Sequence, residues 1–110
     1  MRKSKLVKSE EIDLAIRGIL SHCYEKFDIM TLYKVWGLRL RKRRIELNLT
    51  QSDIAKMFNV TFQQVQKFEN GTNKVSFDKL IIFCQKTGTG YDYFLQTLNG
   101  RTLINGGNNE

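Results

Sequence analysis

The sequence predicts an all-α chain: five helices of one compact domain, preceded by one extra amphipathic N-terminal helix. Apolar residues recur at three- and four-residue steps throughout, and no stretch sustains the apolar/polar alternation of a strand. The chain contains no proline, so only Gly, Asn and capping residues punctuate its helices. Two short capped patterns flank Asn59, Val60 and Thr61, the layout of a helix-turn-helix. At 110 residues with 41% hydrophobic content, the chain suffices for one domain with a core of its own.

The elements follow in order. Residues 1–8 are basic and poor in apolar side chains, which predicts a flexible arm. Ser9, with Glu10, Glu11 and Asp13 behind it, reads as a capped helix start with acids on the positive end of the dipole. From there Ile12, Ile16, Ile19, Leu20, Cys23, Tyr24 and Phe27 make one apolar stripe. Gly18 weakens that helix by about 1 kcal/mol relative to Ala. The extra helix is assigned to residues 9–30.

A second helix is predicted over 31–47, with Leu32, Val35, Trp36, Leu40 and Leu47 among its apolar positions. Asp28 or Thr31 caps it, and Asn48 ends it in the left-handed region, which Asn tolerates better than most residues. Thr50 with Asp53 opens a short helix that turns Ile54, Ala55 and Phe58 inward. Asn59 occupies the next left-handed position. Thr61 and Gln64 form a capping box that opens another helix, with Val65 and Phe68 inward. Gly71 ends it. Ser76 caps a helix carrying Phe77, Leu80, Ile81 and Cys84, which Gly88 to Gly90 close. A last helix is predicted over 91–98, and residues 99–110 read as a flexible Gly/Asn-rich tail.

Charge gives the first functional clue. The net charge is +7, and residues 34–44 hold six bases with no acid. Such a run is a solvated helix face or a patch for a polyanion, with nucleic acid ahead of an acidic membrane surface. The longest apolar run, 80–84, is far too short for a membrane span, and no apolar segment follows the basic start as in a signal peptide. A cytoplasmic protein is expected, associated with the nucleoid when bound to DNA. Cys23 and Cys84 lack metal-ligand spacing and read as reduced apolar fillers. His22, the single histidine, has no adjacent acid or ligand partner. No phosphate-cradling Gly loop, metal cluster or nucleophile–base pair is visible, so neither an enzyme nor a cofactor is expected.

The stretch from Gln51 to Gly71 closely resembles the phage-repressor-like (Cro/XRE-type) helix-turn-helix family. Gln51 stands at its first position, the small Ala55 at its fifth and Val65 at its fifteenth, with Glu69, Asn70 and Gly71 at its end. Ala55 has a physical reason, because a larger side chain would push apart the helices that cross there. The resemblance runs from Gly37 and Arg41 upstream to Tyr93, Phe94 and Leu95 downstream, about residues 36–95, and the whole domain is assigned to 31–98. Asn48 and Asn59 depart from the family's usual Gly.

That resemblance implies a second motif helix, about 62–70, that enters the major groove. Phe62, Gln63, Gln66 and Lys67 would then face the bases. Glutamine can pair with an adenine edge, and Phe62 can pack on a thymine methyl, unless Phe62 belongs to the core. Between Ile54 and Phe68 there is no acid to repel a polyanion. Gln51 would bond phosphate or brace the reading residues, and Thr61 would bond phosphate or simply cap. Arg41, Arg43, Asn70 and Lys74 are candidate phosphate contacts. Arg44 would pair internally with Glu69.

The resulting expectation is a sequence-specific transcriptional regulator of double-stranded DNA, a homodimer on a pseudo-palindromic operator. The extra helix (9–27) either dimerises or covers the domain's own core; the aromatic segment 91–98 is the other candidate dimer surface. Two alternatives remain: an antitoxin-type autoregulator that grips a protein partner through the extra helix, and an adaptor that binds protein alone.

Overall fold

The computed structural model describes residues 2–23 and 29–95, with side chains for 9–19 and 29–95. Five α-helices and a closing 3₁₀ helix make up these residues, with no strand among them: α1 (Arg2–Cys23), α2 (Ile29–Glu46), α3 (Gln51–Phe58), α4 (Phe62–Glu69), α5 (Phe77–Thr87) and the 3₁₀ helix Tyr91–Leu95.

Two boundaries differ from the sequence reading. The first helix begins at Arg2, so the predicted arm is helical and Ser9 lies inside α1 rather than at its cap. Ser9 is buried there and donates to Glu46 Oε2 at 3.1 Å; its hydroxyl serves a tertiary contact in place of a helix end. The second helix begins at Ile29, which puts Thr31 inside it and not at its start. The last element is a 3₁₀ helix, described over Tyr91–Leu95. Asp28, Tyr24, Phe27, residues 96–98 and the tail lie outside the described residues, as do the side chains of Leu20, His22 and Cys23.

The turns of the motif follow from local chemistry. Asn48 (φ 63°) and Asn59 (φ 56°) both take the left-handed conformation that lets the chain reverse between helices. Thr50 and Thr61 each accept a bond from the backbone N–H three residues on, at 3.0 and 3.1 Å. Asp53 and Gln64 accept in return from the backbone N–H groups of Thr50 and Thr61, completing two capping boxes. The backbone and hydroxyl of Thr50 hold the Asp53 carboxyl below the usual carboxylate range. Ser76 occupies the N-cap of α5, but its hydroxyl makes no cap bond.

One core lies between α2, α3, α4, α5 and the 3₁₀ helix, with Leu40, Ile54, Val65, Leu80 and Phe83 fully buried. Each such side chain contributes roughly 1.5–3 kcal/mol by leaving water. The buried face of α5 is Leu80, Phe83 and Cys84. Phe77, expected inward, is 42% exposed and instead lays its ring against Trp36, centroids 5.5 Å apart. The 3₁₀ helix is clasped reciprocally to α2: Tyr93 donates to the Arg39 carbonyl at 3.0 Å, and Arg39 Nη1 donates to the Phe94 carbonyl at 3.2 Å. Burial lowers the guanidinium pKa of Arg39 and raises that of the Tyr93 phenol.

A second, smaller cluster joins α1 to α2. Ile12 and Ile16 are buried against Val35, with Ile19, Leu38 and Ile45 around them. Lys42 reinforces the contact with an ion pair to Asp13 at 2.9 Å. The described part of the α1 stripe, Ile12, Ile16 and Ile19, packs on this chain's own α2.

Candidate nucleic-acid interface

The amphipathic pattern of α4 decides what it presents. Val65, Phe68 and Glu69 are buried, while Phe62, Gln63, Gln66 and Lys67 are exposed along one side, with Asn70 continuing that side at the C-cap. Phe62 is 42% exposed, because Val65 and Phe68 already supply the inward face. That side of α4 therefore carries two amides, one ammonium and one aromatic ring, and no carboxylate.

Beside α4 lies an open concavity of about 560 Å³. It brings together Arg41 from α2, Gln51 from the start of α3, Phe62 and Gln66 from α4, and Asn70 just beyond it. Asn70 Oδ1 accepts from the Thr72 N–H at 2.9 Å, which shapes the turn out of α4. Gln63 and Lys67 stand outside the concavity on the exposed flank of the same helix. Lys74 lies further on, its Nζ 5.3 Å from the centre of the Tyr33 ring.

One acid, Glu69, lines the concavity, and its charge is fully engaged. Arg44 grips it with two parallel bonds, Nε to Oε2 at 2.7 Å and Nη2 to Oε1 at 2.9 Å. Gln51 Nε2 adds a third bond to Oε1 at 3.0 Å, and Arg44 Nη1 donates to the Leu49 carbonyl at 3.1 Å. This network ties the end of α2, the start of α3 and the end of α4 into one rigid corner. Gln51 is thus oriented by Glu69, and the second N–H of its amide is left to donate.

Helical geometry separates the cations of the basic run. At 100° per residue, Lys34, Gly37, Arg41 and Arg44 share the side of α2 that meets α4. Lys42 turns toward α1, and Arg39 toward the 3₁₀ helix. Arg43 belongs to this second group: its Nε donates to Thr89 Oγ1 at 3.2 Å and its Nη1 pairs with Glu46 at 3.4 Å. The structure therefore does not bring Arg43 to the α4 face, because it sits on the side of α2 that packs on the loop after α5.

Gly37 carries a role that its place in the sequence only hinted at. The helices α2 and α4 approach so closely that a Cβ at Gly37 would overlap the Phe68 carbonyl. An isolated glycine inside a helix, with no capping duty, is the signal that marks such a contact.

The helix-turn-helix family profile matches residues 40–94, half of the chain, from inside α2 to the 3₁₀ helix. An uncharacterized transcriptional regulator in the ATPase CF(0) region of Rhodospirillum rubrum is 39% identical over 62 residues, 56% of this chain and 57% of the relative. An HTH-type transcriptional regulator of Rickettsia prowazekii is 31% identical over 74 residues, 67% of this chain and 53% of the relative. Another from Sinorhizobium medicae is 34% identical over 64 residues, 58% and 46% respectively. This chain spans about half the length of these curated relatives. No solved structure matches. Among the described residues, no helix is long and apolar enough to cross a membrane. With its two capping boxes, its left-handed Asn59 turn and the profile match coinciding on the same residues, the chain belongs to the Cro/XRE-type helix-turn-helix family.

Proposed function

We propose that this chain is a sequence-specific transcriptional regulator, and not an enzyme, that reads the major groove of double-stranded DNA with α4. The observation that carries this reading is the composition of the exposed α4 face beside a concavity whose one carboxylate is already satisfied. Gln63 and Gln66 are the adenine-reading candidates, Phe62 the partner of a thymine methyl, and Lys67 the partner of guanine acceptors. Arg41, Gln51, Asn70 and Lys74 border this face and are assigned to phosphate, where they set register and affinity rather than sequence. Thr61 Oγ1 accepts the capping bond from Gln64, which leaves its hydroxyl proton to donate to a phosphate. The relatives are named as transcriptional regulators, which supports the regulatory reading.

One eight-residue helix touches only a few base pairs, too few to single out one genomic site. The protein therefore acts as a homodimer on a pseudo-palindrome with half-sites about one helical turn apart, in the cytoplasm at the nucleoid. Selection of bound sequences from a random duplex pool tests this at near-physiological salt. Enrichment of two such half-sites is expected. Binding without enrichment, vanishing as salt rises, would mean that charge alone is read and would refute sequence-specific function.

A further inference from the structure

We infer that Lys34, with Lys74 beside it, grips DNA phosphate at the C-terminal end of α4, outside the helix-turn-helix itself. This inference rests on the DNA-reading function proposed above and adds a contact to it.

Four of the six cations in 34–44 are committed within the protein: Arg39 to the Phe94 carbonyl, Lys42 to Asp13, Arg43 to Glu46 and Thr89, and Arg44 to Glu69. Lys34 and Arg41 alone have no acidic partner among the described residues. Both lie on the side of α2 that meets α4, seven residues and about 10.5 Å apart along the axis. Gly37 sits between them, where the Phe68 carbonyl at the end of α4 crosses. The two cations therefore straddle the end of α4: Arg41 on the side of α3, Lys34 on the side of the 70–76 loop.

The Lys34 side chain is exposed and runs alongside Gly71, where a Cβ would stand 3.0 Å from its Cγ. On the same loop, Lys74 is exposed and placed over the ring of Tyr33, the neighbour of Lys34 in α2. Residues 70–77 contain no acid. Two ammonium groups, one from α2 and one from the loop, thus flank one end of α4, and neither forms an ion pair with an acid among the described residues. A duplex seated on the exposed α4 face extends past both ends of this short helix. The polyanion that already meets Arg41 at one flank then meets Lys34 and Lys74 at the other.

The test is the salt dependence of binding to a duplex of about 30 base pairs, with wild type, K34Q, K74Q, the double variant and K34R. K86Q, at the opposite end of α5, is the charge control. Each phosphate contact contributes about 0.9 to the slope of log K against log salt. K34Q and K74Q should each lower the slope by about that amount, and the double variant by about 1.8. Between 50 and 200 mM salt, wild type should lose roughly 3.5-fold more affinity than K34Q. K34R should keep the wild-type slope, and K86Q should leave it unchanged. Fluorescence of Trp36, the single tryptophan, followed through thermal unfolding checks that each variant is folded. A K34Q slope equal to that of K86Q, with duplex binding intact, would overturn the role of Lys34 alone. Failure of wild type to bind any duplex would overturn the DNA-reading function and this inference together.

Discussion

Replacing Arg44 by Met removes the guanidinium and nearly preserves the volume. It strands the Glu69 carboxylate, whose side chain is 2% exposed, with Gln51 as its remaining donor. Replacing Glu69 by Gln does the converse. One end of the new amide is an NH₂ that confronts the Arg44 fork, and the guanidinium, 12% exposed, loses its counter-charge. Breaking one side of a buried, bidentate pair costs roughly 3–5 kcal/mol, because the desolvated survivor is left uncompensated. For a domain of this size that corresponds to a fall in Tm of roughly 15–25 °C.

Thermal unfolding followed by Trp36 fluorescence measures both variants. A Tm shift of only a few degrees in both would refute a desolvated, network-forming pair.

Two further outcomes follow from the same geometry. Gly37→Ala should destabilise the domain by ~1–3 kcal/mol or more, since the obstacle is a backbone carbonyl that cannot rotate away; a wild-type Tm in urea or heat would show that α2 and α4 do not meet there. Gln63→Ala should weaken binding to the selected operator by roughly 1–3 kcal/mol while leaving random duplex almost untouched, measured by competition titration; an equal loss on both would remove Gln63 from base reading.

Much of the fold was legible because its signals are local. The capping boxes at Thr50 and Thr61 need only a hydroxyl and a polar residue three positions on, and both form. Asn48 and Asn59 take positive φ for reasons within a single residue. Where the signal was not local, the reading went astray. Ser9 has the chemistry of a cap, yet a carboxylate on α2 claims its hydroxyl. Phe77 has the hydrophobicity of a core residue, yet it is 42% exposed and lays its ring against Trp36. Propensity ranks residues by type and carries no information about which neighbour arrives from elsewhere.

The candidate interface divides along the same line. By itself the sequence determined the helix-turn-helix, the acid-free outer face of α4 and the inward turn of Val65 and Phe68, because helical period and capping chemistry act within a few residues. Only the tertiary structure decided which cations remain for a polyanion. Six bases in eleven residues look alike in sequence, but helix rotation sends Arg39 and Arg43 to the 3₁₀ side, Lys42 to α1 and Arg44 to Glu69. Tertiary structure likewise decided that Ile12, Ile16 and Ile19 of α1 pack on α2, since the partner of an apolar face is whatever surface the fold brings against it.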